Sequence, residues 1–423
     1  MTDNFCVVPW VQMATKPIGS ARVCCLMTNS SDEMKGVVTN EKGTPYNLGT
    51  DSIDEIKNGK KYRDLRLSML ANERHADCTT CWTKEDMGHS SRRKMTNKIY
   101  EDTFNYNNAI KVTDKQGYTN YEPSYWDLRF GNLCNLKCVM CHPASSNQWY
   151  EDFVLLNNNT RFWDGGKPVD LMKVGKKYKD QGQYNWWDND FFWKKLESKI
   201  PFLKMVYLVG GEPMLIEPHY NFLEKVIISG KAKDVTLEYD TNLTHIHQRA
   251  LDYWREFKTV LLRISLEDAK DQFNYIRYPA NWDSVFENVK IITKELKNVD
   301  IRFTTTWQIL NCYTILDLLT ILEPFKKIVS VRILNDPKYY NCKILPKKIK
   351  RDLIKLYRSY NVYTNKTDAD VEHCANYLIN NYYYTNETDL KSFFAVNKIL
   401  DKSRKTNWKT TFPQLYSNLK KYE

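Results

Sequence analysis

The sequence predicts an α/β fold whose core is a series of parallel βα units, and three observations carry that expectation. Six strand-like apolar runs follow one another: YWDLRF, KMVYLVGG, VTLEYDTN, TVLLRISLE, IRFTTTWQIL and IVSVRILN. Helical stretches separate them, among them Tyr220 to Ser229, His247 to Phe257 and Trp282 to Leu296. Strands spaced by a helix each pair in parallel, because the crossover has room to return the chain in the same direction. The length of 423 residues, with 42% hydrophobic and 13% aromatic content, suffices for two or three domains with cores of their own.

Composition narrows the function classes. No apolar run approaches the length that crosses a bilayer. The first residues, MTDNFCVVPW, lack a basic segment and a long apolar one, so no secretory signal is expected and the chain is placed in the cytoplasm. In that reducing compartment eleven cysteines argue for metal rather than for a disulfide framework. The net charge of +11 would suit an anionic partner. The basic residues are dispersed along the chain, however, which reads as a lysine-rich solvated surface and does not favour nucleic acid.

In chain order, residues 1–90 form a first cysteine-bearing unit. A hairpin with its turn at Pro17-Ile18-Gly19 is expected to bring Cys6 and Cys24 together, each on a strand. Apolar residues at Ile53, Ile56, Tyr62, Leu65 and Met69 predict one helix from Ile53 to Leu70. Cys78 and Cys81, spaced C-x2-C, complete a closed four-thiolate site that suits either zinc or an iron–sulfur cluster. Cys25 stands beside Cys24 as a substitute ligand. Residues 91–122 are polar and read as a linker with room for one helix. The core runs over 123–345, with an aromatic, Gly- and Asn-rich insertion from Asn157 to Trp193 that caps the core or lines an entrance. Residues 346–423 read as a polar helical extension without chemistry of its own. Cys312, Cys342 and Cys374 have no partner spacing and are expected to be buried, inert thiols.

The chemistry concentrates at WDLRFGNLCNLKCVMCHP, Trp126 to Pro143. Cys134, Cys138 and Cys141 occur there as C-x3-C-x2-C, on a loop that leaves the carboxyl end of the first core strand, where α/β folds bind ligands. Three thiolates leave one iron of a cubane cluster open to a ligand that is not protein. A zinc loop would need a fourth ligand that the adjacent His142 is poorly placed to give, and structural thiols remain a third reading.

This loop resembles the signature of the radical S-adenosylmethionine (radical SAM) enzymes, in which three cysteines hold a 4Fe–4S cluster and SAM chelates the fourth iron. The apolar Met140 before the last cysteine also fits. VYLVGGEPML, one strand later, resembles the family's GGEP motif, which binds the SAM amino group; Gly210, Gly211, Glu212 and Pro213 carry that role over. Ser265, in RISLED, resembles a strand that reaches SAM, although Glu267 and Asp268 replace the family's Asp-Gly. Arg277 resembles an arginine that pairs with the SAM carboxylate, Thr241 and Asn242 end the third strand at the mouth, and Asn311 follows the fifth near ribose or adenine. The spacing of Cys6, Cys24, Cys78 and Cys81 resembles the Twitch domain, a shortened relative of SPASM domains that binds an auxiliary 4Fe–4S cluster. Here it precedes the radical SAM domain instead of following it.

The resemblance implies a partial (β/α)6 TIM-like barrel with an N-terminal cysteine-rich Twitch-like domain. It implies reductive cleavage of SAM to methionine and a 5′-deoxyadenosyl radical, which abstracts hydrogen from a substrate carbon as an oxidoreductase or related enzyme would require. Flavodoxin or ferredoxin would supply the electron. Enzymes of this subgroup most often modify peptides or proteins, so a peptide is the first expected substrate and a nucleotide, sugar or other small molecule the second. A zinc-stapled nucleic-acid-binding protein is the non-enzymatic alternative.

Overall fold

The computed structural model describes residues 3–28, 34–159, 184–360 and 368–423. The middle of the expected insertion, 160–183, lies outside the described residues. The chain divides into two compact units: Met1–Gly131 with Gln181–Tyr239 and Asp252–Val260, and Asn132–Asp180 with Asp240–Leu251 and Leu261–Glu423.

The first unit is built on strands β1 (Gln12–Thr15), β2 (Ala21–Arg22), β3 (Tyr125–Phe130), β4 (Met205–Gly210) and the start of β5 (Thr236–Thr241), in the order β2-β1-β3-β4-β5. β3 and β4 are parallel from Tyr125↔Met205 to Phe130↔Gly210, and β4 and β5 from Met205↔Thr236 to Leu208↔Tyr239. β3 is buried at five of six positions, as a strand covered on both faces should be. The predicted hairpin is present: β1 and β2 are antiparallel, and Gly19 turns the chain at φ +81°. Its first strand also pairs in parallel with β3, Gln12↔Tyr125 through Ala14↔Asp127.

Three local expectations change. Neither Cys6 nor Cys24 lies on a strand: the chain after Cys6 enters the short helix Val8–Val11 before β1 begins, and β2 ends at Arg22. Pro9 sits in the first turn of that helix, where its missing N–H leaves no bond unmade. The single helix over Ile53 to Leu70 is two, Ile53–Lys57 and Lys60–Leu70, with Gly59 capping the second. The expected linker carries two helices, Arg92–Tyr100 and Tyr106–Val112, where one was expected.

Arg66 fastens this region. It is 1% exposed, and its guanidinium donates to the carbonyl oxygens of Pro9 (3.0 Å), Gly117 (3.1 Å) and Lys57 (2.6 Å) and to Asn58 Oδ1 (3.2 Å). One side chain thereby joins the helix after Cys6 to the two helices that precede Cys78.

The second unit contains most of β6 (Thr259–Ser265), with β7 (Val299–Trp307) and β8 (Val329–Ile333) following it in order. β7 and β8 are parallel from Phe303↔Val329 to Trp307↔Ile333. Helix Trp282–Glu295 buries Trp282, Val285, Val289 and Ile292, a stripe at helical spacing. Thus the six predicted core runs are strands β3 to β8, and the α/β class with a mostly parallel sheet holds. The chain ends in helices, among them Lys347–Ser359 and Glu387–Arg404. Among the described residues no helix is long and apolar enough to cross a membrane.

Arg66→Ala is expected to lower the unfolding free energy by about 2–4 kcal/mol, since it orphans several buried carbonyl groups at once. Denaturant unfolding checks this, and a loss under about 0.5 kcal/mol would show that the hub does not hold.

Candidate metal centres

In the second unit, Asn132 to Pro143 form a loop closed by a tight turn. Cys141 N–H donates to the Cys138 carbonyl at 2.9 Å, with Met140 half-buried at the turn. That bond places the last two thiols side by side. They share a hydrogen bond, which draws Cys138 below the ordinary thiol range and pushes Cys141 well above it. Cys134 is held by Asn147 Oδ1, which accepts from its N–H at 3.1 Å, while its sulfur lies 3.9 Å from Asn242 Nδ2. Asn242 also donates to Asn135 Oδ1 at 2.9 Å and accepts from Thr244 Oγ1 at 2.7 Å. His142 is exposed, and its Nδ1 accepts from the Ala144 N–H.

The loop is pinned from behind. Lys137 and Val139 N–H groups donate to the carbonyls of Tyr278 and Ile276, both at 2.8 Å. Trp149 Nε1 donates to the Cys138 carbonyl at 2.9 Å. Asp152, buried, takes ion pairs from Lys137 (3.2 Å) and from Arg404 Nε (2.9 Å). Arg404 belongs to the helical extension, which therefore does contribute to the site. Its guanidinium lies 5.0 Å from the Trp149 ring and adds to the pull on the Cys138 thiol. No spacing signal could have found a partner 252 residues away.

Arg277 Nη1 donates to Glu267 Oε2 at 2.6 Å, and both groups are buried. Burial opposes the guanidinium charge, but Cys138 and Glu267 hold it above the ordinary arginine range. Arg277 thus faces the sulfurs, and its Nε has no hydrogen-bond partner among the described residues. Ser265 ends β6 half-exposed. Asn311 spends its amide on the carbonyls of Glu267 (2.6 Å) and Thr306 (3.0 Å), and its Oδ1 accepts from Gln308 N–H. One carbonyl lone pair is what it has left for a ligand. Asp268 accepts from Thr314 Oγ1 and from the Ala269 N–H. Cys312, Cys342 and Cys374 are buried free thiols, as expected, but they are not solitary: Cys342 and Cys312 share a hydrogen bond, and Cys374 lies near Cys342.

In the first unit, β4 delivers the Gly-Gly-Glu-Pro turn. Gly210 has φ +149°, and a Cβ there would meet the Phe130 carbonyl oxygen at 2.8 Å, so only glycine fits. Glu212 is buried and caps the short helix Pro213–Leu215 by accepting from Met214 N–H at 3.1 Å. Gly210 remains exposed and Gly211 half-exposed.

The same unit gathers Cys6, Cys24, Cys78 and Cys81 around one cavity, lined otherwise by apolar side chains and by Arg92 and Arg93. The helix start Cys78-Thr79 and one turn of helix Thr79–Asp86 set the last pair. Cys25 is outside that lining and hydrogen-bonds to Cys24. Burial pushes the Cys6 and Cys78 thiols up to about 12. Thiolates so placed need a compensating cation, and a metal centre supplies one. Among the described residues no three His, Cys, Asp or Glu side chains are grouped to hold one metal ion, at this site or at the loop of Cys134, Cys138 and Cys141. A cubane, with one thiolate on each of several irons, spreads its ligands over a larger body than a zinc ion with bonds of about 2.3 Å. The donor set and the cavity fit the cluster.

Residues 128–307 match the family model described as the radical SAM superfamily, and residues 6–82 match the iron–sulfur cluster-binding domain SPASM. No curated protein sequence matches the chain. Solved structures similar to it include native anSMEcpe with bound AdoMet, 16% identical with TM-score 0.33, over 54% of this chain and 57% of that one. Streptococcus suis SuiB bound to S-adenosylmethionine is 15% identical with TM-score 0.37, over 69% of this chain and 61% of SuiB. The chain thus spans less than two thirds of either protein. The α/β chain thus carries a radical SAM domain over residues 128–307. A SPASM-type iron–sulfur domain lies ahead of it, and the cofactors of these two domains are 4Fe–4S clusters and S-adenosylmethionine.

One titration follows from the site. Burial pushes the Asp268 carboxyl from 3.8 up to about 7. The folded chain keeps a proton that the unfolded chain releases above about pH 4, so stability falls as pH rises from about 4 to 7 and is level above. Asp268→Asn is expected to raise the unfolding free energy by up to a few kcal/mol at pH 8 and to change little at pH 4. Equal effects at both pH values in denaturant unfolding would contradict this.

Proposed function

We propose that Cys134, Cys138 and Cys141 hold the SAM-binding 4Fe–4S cluster, that Cys6, Cys24, Cys78 and Cys81 hold an auxiliary one, and that the enzyme modifies a carbon of a peptide or protein. The observation that supports the first assignment is the loop that holds Cys134, Cys138 and Cys141 within a few residues, with a turn that sets Cys138 and Cys141 side by side and Cys134 near them. Cluster and SAM together supply reductive cleavage of a carbon–sulfur bond and, through it, hydrogen abstraction from an unactivated carbon.

The chain's own part is positioning. Gly210 and Gly211 let backbone approach the cofactor, and the Glu212 carboxylate accepts from its ammonium group. Arg277 offers a guanidinium edge to its carboxylate while Glu267 fixes the other edge. Asn242 and Ser265 present polar tips, Met140 covers the cysteine turn, and Asn311 offers its remaining lone pair. The SPASM-type domain supports a peptide substrate, since enzymes of that subgroup most often act on peptides or proteins.

Cys138→Ala is expected to abolish formation of 5′-deoxyadenosine from SAM under reduction in anaerobic protein. Retention of that activity would refute the ligand assignment. For the substrate, a short peptide encoded beside the gene should change mass when incubated with enzyme, SAM and dithionite. Stimulation of SAM cleavage by a small molecule, with every such peptide unchanged, would overturn the peptide reading.

A further inference from the structure

Two buried arginines line the four-thiol cavity, and their charges are handled differently. Arg93 is cancelled. Its Nε donates to Glu85 Oε1 at 3.0 Å, its Nη2 pairs with Glu85 Oε2, and its Nη1 donates to the Phe5 carbonyl at 2.8 Å. Arg92 is not. Its Nη2 donates to the neutral Tyr125 hydroxyl at 3.0 Å and reaches the neutral Gln12 Oε1 at 3.4 Å. Its Nε is buried without a hydrogen-bond partner, and among the described residues no carboxylate lies within ion-pair distance of it. The buried Asp127 acts on it only from beyond ion-pair distance and is itself 3.7 Å from Arg129, so a guanidinium without a close counter-ion stands at the wall where the thiolates would gather.

We propose that Arg92 is a positioning residue for charge: an uncancelled cation that stabilises the reduced form of the auxiliary cluster and so raises its potential. The proposal rests on the ligand reading given above for Cys6, Cys24, Cys78 and Cys81. One-electron reduction makes a cluster more negative, and a fixed positive charge in a low-dielectric wall favours that state. Glu85 is the counterpart, since it is what keeps Arg93 from adding a second cation.

The test is a redox titration of the holoenzyme followed by electron paramagnetic resonance, with the auxiliary signal identified as the one that persists in Cys138→Ala. Arg92→Gln is expected to shift that midpoint to lower potential, Arg92→Lys to leave it near the native value, and Glu85→Gln to shift it upward by unmasking Arg93. An unshifted midpoint in Arg92→Gln overturns the proposal, as does an equal downward shift in Arg92→Lys, which would make the effect one of hydrogen bonding and not charge. If Arg92→Gln does not fold, an unshifted or lowered midpoint in Glu85→Gln overturns it. Failure of the underlying site reads out separately: Cys78→Ala should lose about half of the iron, and unchanged iron content would remove the auxiliary cluster itself.

Discussion

A thiolate is costly to bury unless a cation stands beside it, and both cysteine groups of this chain are built around that constraint. Cys6, Cys24, Cys78 and Cys81 line a cavity whose other walls are apolar apart from two arginines. Cys138 and Cys141 share a hydrogen bond with Arg277 and Arg404 near by. In each place the protein supplies guanidinium charge in rigid settings, and it leaves the remainder of the compensation to metal. The supports serve this end. Asp152 with Arg404 and Lys137 holds the cysteine loop from behind, and Arg66 ties together the helices that carry the N-terminal thiols.

The two sites are organised differently because their tasks differ. The loop after β3 offers three sulfurs from eight consecutive residues, so its geometry is local and one turn sets it. On the ligand reading proposed above, a cluster there would keep one coordination position for a ligand that comes and goes. The N-terminal cavity takes its sulfurs from a pre-helical segment, the end of a hairpin and a helix start. On the same reading four thiolates would close the coordination sphere, which suits electron transfer better than substrate chemistry. There the protein's remaining means of control are charge and hydrogen bonding around the sulfurs.

Local features were legible in the sequence and distant ones were not. The six core strands showed as apolar runs bounded by glycine and polar residues, and the cysteine loop and Gly-Gly-Glu-Pro turn are each contained in a few residues. The helix at Val8–Val11 was hidden because VPWV is apolar throughout and shows no period, so it read as strand. The break at Gly59 was masked by apolar spacing that continues across it. The parallel pairing of β1 with β3 joins residues more than a hundred positions apart, and nothing in either segment announces the other. Arg404 looked like one more lysine-rich-tail charge until the fold set it on Asp152. Likewise the buried Glu267–Arg277 pair explains why Glu and Asp occupy a place where the family resemblance led one to expect Asp-Gly.

The central claim is that the cluster on Cys134, Cys138 and Cys141 has an iron whose fourth ligand is SAM. Electron–nuclear double resonance of the reduced enzyme with SAM carrying 15N in its amino group and 17O in its carboxylate tests that bond directly. The account predicts hyperfine coupling from both labels, lost in the Cys141→Ala protein. A spectrum of the intact enzyme with neither coupling, at saturating SAM, would contradict it.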